Sequence, residues 1–129
     1  MKKKKTPLIL IVEDDPASLL LASTVLEAAG YEVAGSASAE DARETLAKRK
    51  PALILMDIGL PGMDGLDFTR ELRSKSRTAG IPIVALTGLN MPLYERSAKA
   101  AGCQGFIAKP VSPAVLTTEV RNFLSRGPG

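Results

Sequence analysis

Apolar positions along the chain switch repeatedly between consecutive runs and helical spacing. Leu8–Val12 is a continuous run, the pattern of a strand buried on both faces. Asp15 follows as an expected N-cap, with Pro16 at the first helical position. Leu19, Leu20, Ala22, Leu26 and Ala29 then predict a broad apolar helix face, and Gly30 predicts its stop. Tyr31–Ala37 is more polar, as expected of a strand nearer a sheet edge. Ser38 is placed to cap a second helix through about Lys48, with Ala42 and Leu46 facing inward.

The second half repeats the alternation. Leu53–Met56 reads as a third strand, and Leu66 to about Lys75 as a third helix. Ile81–Leu86 reads as a fourth strand, since Pro82 is tolerated at a strand start. A helix is expected from about Pro92 to Ala101, ending at Gly102, then a short strand over Gly105–Ala108. Pro113 opens a last helix, in which Leu116, Val120, Phe123 and Leu124 recur at helical spacing. Strand and helix thus alternate five times, a (βα)5 pattern of the α/β class. Right-handed crossovers then imply a parallel sheet with helices on both faces. We find no internal repeat and no second domain. The expected organisation is a basic lead at 1–5, one domain over 6–125 and a flexible tail at 126–129. A Met just ahead of the first strand and the short tail predict a stand-alone protein.

Composition narrows this picture. At 129 residues, 45% of them hydrophobic, one domain can bury a core without disulfides or metal staples. No run approaches the ~18 apolar residues of a membrane span. Leu8–Val12 is too short for a signal segment and is closed by Glu13, Asp14 and Asp15, so a cytoplasmic protein without membrane contact is expected. The lone Cys103 excludes an internal disulfide and fits a reducing compartment; it reads as a small buried hydrophobe. Histidine is absent, which removes the usual general base, His metal ligation, a His-based triad and any phosphohistidine on this chain.

The net charge of +3 invites a nucleic-acid reading, but Lys2–Lys5 supply much of it. Of 17 basic and 14 acidic residues, 13 and 14 remain once those four lysines are set aside, so the body is nearly neutral. With aromatics at 4%, no nucleic-acid partner is expected.

Ligands of open α/β sheets bind outside the carboxyl ends of the strands. Glu13 and Asp14 end the first strand and Asp57, in "ALILMDIGLPGMDGL", ends the third. Thr87 ends the fourth and Lys109 the fifth. Any one of these is an ordinary polar strand end. Four strands that each present a charged or reactive group at one rim are harder to explain that way.

The motifs "LIVEDD", "LILMDIGLPGMDGL", "IVALTG" and "FIAKP" occur in this order. Through them the chain, from Thr6 to about Ser125, resembles the receiver domain of two-component response regulators. It is similar to single-domain regulators of cell division and also to receivers attached to hybrid histidine kinases, so an excised hybrid-kinase receiver is the alternative. The resemblance implies a flavodoxin-like sheet in the order 2-1-3-4-5. It implies a signalling switch rather than an enzyme, assisting its own phosphorylation and dephosphorylation. Asp57 is the implied phosphoacceptor, served by a histidine kinase or histidine phosphotransferase. Glu13, Asp14, Asp57 and the Gly59 backbone carbonyl are the implied ligands of Mg2+, for which Mn2+ can substitute. Thr87 and Lys109 match the family's hydroxyl and lysine, Phe106 its aromatic switch, and Lys109–Pro110 its cis peptide. The implied output surface is the fourth helix, fifth strand and fifth helix, a stretch begun by Met91, Leu93, Tyr94 and Ala98, in a monomer or weak dimer.

Two other classes fit less well. Phosphatases with an aspartyl nucleophile place a second Asp two residues further on, where this chain has Gly59. A pseudo-receiver that binds without being phosphorylated would not need the full set of acids, Thr87 and Lys109. Gly59 and Leu89 also lack a polar side chain that could position a hydrolytic water, which bears on the lifetime of an acyl phosphate.

Overall fold

Apolar runs lacking a polar face can only be covered on both sides, so they line up edge to edge beneath two layers of helices. The computed structural model of the chain describes residues 6–58, 64–88, 91–109 and 111–125, with the backbone alone over 91–94. The elements alternate as β1 (Leu8–Val12), α1 (Pro16–Ala28), β2 (Glu32–Ser36), α2 (Ala39–Lys48) and β3 (Leu53–Asp57). They continue as α3 (Gly65–Arg73), β4 (Ile83–Thr87), α4 (Met91–Ala101), β5 (Gly105–Ala108) and α5 (Pro113–Ser125). The strands form a parallel sheet in the order β2-β1-β3-β4-β5, the flavodoxin-like order. No helix among the described residues is long and apolar enough to cross a membrane.

Every residue of β1, β3 and β4 is buried, which explains their unbroken apolar sequences, whereas the edge strand β2 is only partly covered. Alternate residues feed two cores. Leu10, Val12, Ile54, Met56 and Ile83 pack with Ala42, Leu46, Phe68 and Leu72 on one face. Ile9, Ile11, Leu55, Val84 and Ile107 pack with Leu26, Leu116, Val120 and Phe123 on the other.

Local signals set the helix ends. The Asp15 carboxylate accepts from the Ser18 amide at 3.2 Å and its hydroxyl at 2.6 Å, Ser38 from the Asp41 amide at 3.2 Å, and Asp64 from the Asp67 amide at 2.8 Å. Gly30 and Gly102 stand at φ +100 and +115 at the ends of α1 and α4, in the left-handed region that glycine enters freely.

Several expected features move. Leu20 leaves the apolar face of α1 and is 68% exposed, because Leu19, Ala22 and Leu26 turn toward the sheet and the next residue turns away. Ala29 is the exposed C-cap rather than part of that face. β4 begins at Ile83 instead of Ile81: Pro82 has no N–H, and the Ile81 amide turns back to the Thr78 carbonyl at 3.1 Å. β2 is shorter than expected by a residue at each end. α3 starts one residue earlier, behind its Asp64 cap, and closes at Arg73, where the Ser74 amide reaches back to the Arg70 carbonyl.

Candidate functional site

The strand register brings the polar ends together. Val12 lies opposite Met56, Asp57 opposite Leu86 and Thr87 opposite Ala108, so the residues at and just beyond these ends share one rim. Glu13, which follows β1, is 1% exposed, and Asp57, the last residue of β3, is 9% exposed. Asp14 points to solvent. Glu13, Asp14 and Asp57 each offer a carboxylate oxygen, and these lie within 4.8 Å of one another. Two carboxylates at ~4 Å repel by about 4 kcal/mol at an effective dielectric of ~20, so such a cluster needs compensation.

Lys109, immediately after β5, supplies part of it. Its Nζ stands 3.4 Å from Asp57 Oδ2 and donates a hydrogen bond to Glu13 Oε1. Burial pushes the Glu13 carboxyl up to about 7, and the neighbouring Asp57 adds to this against the opposing pull of Lys109. Burial works to lower the Lys109 ammonium, but Glu13 and Asp57 outweigh it and hold the group above its ordinary value. Glu13 Oε2 is buried without a hydrogen-bond partner among the described residues. Three carboxylates, one of them with an orphaned buried oxygen, and one ammonium form a site with excess negative charge and only oxygen donors. Those are the terms a hard divalent cation satisfies, not the nitrogen and sulfur set of a transition metal.

Thr87 ends β4 and is 2% exposed; its carbonyl accepts from the Lys109 amide at 2.8 Å, which ties the ends of β4 and β5 together. Phe106 is half-buried against the core beneath α2, α3 and α4, opposite Ala85 in the β4–β5 register. Of the other expected site residues, Gly59, Leu89 and Pro110 lie outside the described residues, as do the side chains of Met91, Leu93 and Tyr94. Ala98, expected in an exposed apolar stripe on α4, is core instead, at 1% exposure. Cys103 is buried as expected, and burial pushes its thiol up.

The structure adds a residue that pattern reading passes over. An ideal Cβ on Gly65 would lie 2.3 Å from the Asp57 carbonyl oxygen and 2.7 Å from Ile58 Cα. Only glycine lets the first turn of α3 press against the backbone that carries Asp57. The available signal was a glycine just after the Asp64 cap, at a helix position where glycine is a poor choice unless space demands it.

Chemically, the site offers a buried carboxylate at a strand end, further acids that match a cation, and an ammonium from the far side. It contains no imidazole or thiol. That combination suits reactions of phosphoryl oxygens, which need positioning and charge neutralisation more than covalent assistance.

Comparison with known proteins bears on this geometry. Residues 9–121 match the family model for the response regulator receiver domain. The chain is 33% identical over 119 residues to the polar-differentiation response regulator DivK of Brucella ovis, covering 92% of this chain and 97% of that protein. A putative response regulator from Chloroflexus aurantiacus superposes with a TM-score of 0.90 at 34% identity, covering 95% of this chain and all of the other. The receiver domain of a sensor histidine kinase from Pseudomonas aeruginosa, solved with a magnesium ion in its active site cleft, gives 0.85 at 30% identity, covering 94% and 99%.

Proposed function

We propose a function on the premise that the chain belongs to the family of response regulator receiver domains: it is a phosphoacceptor switch, modified at Asp57 and read out by protein contact. One observation carries this reading, the meeting of the Glu13, Asp14 and Asp57 carboxylates with the Lys109 ammonium at a single rim. The receiver comprises residues 6–125.

A chain without histidine takes its phosphoryl group from outside, and a phosphohistidine on a histidine kinase or phosphotransferase is the fitting donor. An Asp57 carboxylate oxygen attacks phosphorus as the P–N bond breaks, and the bonding pair returns to the donor imidazole. The product is an acyl phosphate. Lys109, already 3.4 Å from Asp57 Oδ2, holds the incoming phosphoryl charge as a compact ammonium. Glu13, Asp14 and Asp57, with the Gly59 carbonyl, would hold Mg2+ or Mn2+, which when bound neutralises charge on phosphoryl oxygens. The unpartnered Glu13 Oε2 and the oxygen-only donor set support that fit.

The Thr87 hydroxyl then turns to a phosphoryl oxygen, drawing in the end of β4 and freeing space into which Phe106 rotates. The new charge and hydrogen bond bias a two-state element, and the surface of α4, β5 and α5 carries the result to a protein partner.

Intact mass after incubation with acetyl phosphate and Mg2+ tests the class. The expected result is a gain of one phosphoryl group, absent with chelator and absent in Asp57→Asn. Full phosphorylation of Asp57→Asn, or none of the parent, would overturn the reading.

A further inference from the structure

Charge is divided between the two ends of the strands. Where the strands end, the Glu13, Asp14 and Asp57 carboxylates cluster, with Lys109 against Glu13 and Asp57. Where they begin, α2 runs out into Lys48, Arg49 and Lys50, and Arg77 folds back to the Ala47 carbonyl at 3.1 Å. Of these cations only Arg49 has an acidic partner among the described residues: Glu32, 2.8 Å away in a half-exposed pair of the kind that contributes little. Favourable acids at helix N-termini and bases at C-termini account for part of the division.

They do not account for the groove on the basic end. A cleft of about 880 Å³ opens between the starts of β1 and β2, the turn from α2 to β3, the turn before β4 and the end of α5. Leu8, Pro51, Ile81 and Phe123 contribute its apolar lining; its charged lining is Lys50 together with the Arg49–Glu32 pair, one positive charge in sum. This volume lies within the range of clefts that seat ligands, ~300–1,000 Å³.

We propose that this groove docks an acidic segment of a partner protein, with one or two apolar side chains in the cleft and a carboxylate against Lys50. Charge complementarity chooses this occupant: Lys50 at the cleft, with Lys48 and Arg77 at the same end of the strands, has no acidic partner among the described residues, whereas Arg49 is already neutralised by Glu32. The chain's own Lys2–Lys5 carry the same sign as Lys50. A flat lipid surface does not reach into a cleft, and a phosphate backbone would meet the cations while leaving the apolar lining wet. Because the cleft and the carboxylate cluster lie at opposite ends of the strands, a partner seated here leaves Asp57 open. Docking is therefore independent of phosphorylation. This goes beyond the proposed switch and stands or falls separately from it.

The test is selection of random dodecapeptides displayed on phage against the full chain, followed by fluorescence anisotropy with the most enriched peptide. Enriched peptides are expected to combine Asp or Glu with Leu, Ile or Phe. Lys50→Glu should weaken binding by at least about tenfold. Gly80→Leu should do the same by filling the cleft, since a Cβ at Gly80 meets nothing within 4 Å and the fold accepts it. Melting temperatures of both variants within about 2 °C of the parent confirm intact folds. Asp57→Asn should bind like the parent. Selection of peptides without acids, unchanged affinity in both variants, or tighter binding of a short duplex DNA or of phosphatidylglycerol vesicles at the same salt would each overturn the proposal.

Discussion

The ammonium of Lys109 stands 3.4 Å from Asp57 Oδ2, although β4 separates the strands that carry the two residues. The lysine stem reaches past the end of β4, whose terminal Thr87 is bonded through its carbonyl to the Lys109 amide. The same ammonium donates to Glu13 Oε1, so one cation serves two buried carboxylates.

Replacing Lys109 with Met should leave that pair of acids uncompensated. Breaking a fully buried ion pair costs about 3–5 kcal/mol, and Lys109 is a quarter exposed, so a loss of about 1–3 kcal/mol is expected. Urea denaturation at pH 8 in chelator measures it. Stability equal to that of the parent would show that the contact contributes nothing.

Asp14→Asn acts in the opposite direction. Removing the exposed member of the carboxylate cluster relieves repulsion, discounted by solvent to about 1 kcal/mol. The metal-free protein should melt about 2–6 °C higher, and the rise that Mg2+ produces in the parent should disappear. A preserved Mg2+ response, followed by calorimetry, would remove Asp14 from the ligand set.

Gly65→Ala should strain the turn beneath Asp57, because the added methyl meets backbone that cannot rotate away. Overpacking of this kind costs about 1–3 kcal/mol. Phosphorylation by acetyl phosphate should slow alongside the fall in melting temperature. A stability loss with an unchanged phosphorylation rate would confine Gly65 to a packing role.

The Arg43–Glu71 pair gives a pH signature away from the site. Arg43 Nε and Nη2 each donate to a Glu71 oxygen at 2.7 Å, binding α2 to α3. Arg43 holds the Glu71 carboxyl below its ordinary value of 4.5. A depressed carboxyl stabilises the folded state above the unfolded value and loses that contribution as pH falls below about 4.5. Arg43→Met should therefore cost roughly 0.5–1 kcal/mol at pH 7 and progressively less below pH 4.5, in paired thermal melts. A gap that stays constant with pH would assign the loss to the packing of Arg43 over the Phe68 ring, 5.4 Å from its centroid.

The candidate site was legible to differing depths. Glu13, Asp57, Thr87 and Lys109 each follow or end a strand whose apolar run marks where it stops, so their shared rim follows from alternation and parallel order alone. Gly65 was not legible, because its constraint is a 2.3 Å approach to a carbonyl eight residues away, and no periodicity encodes that. The cleft at the opposite end is assembled from segments far apart in the chain.

By itself, the order of residues determined the β1 and β3 runs, the caps at Asp15 and Ser38, and the stops at Gly30 and Gly102. Each of these depends on burial of both faces of a strand or on hydrogen bonds that span three or four residues. Tertiary structure alone decided that Leu19 turns in while Leu20 turns out, that Ala98 is core, and that Lys109 serves two acids at once. Those outcomes depend on helix rotation and strand register, which are settled by packing against partners that no local window contains.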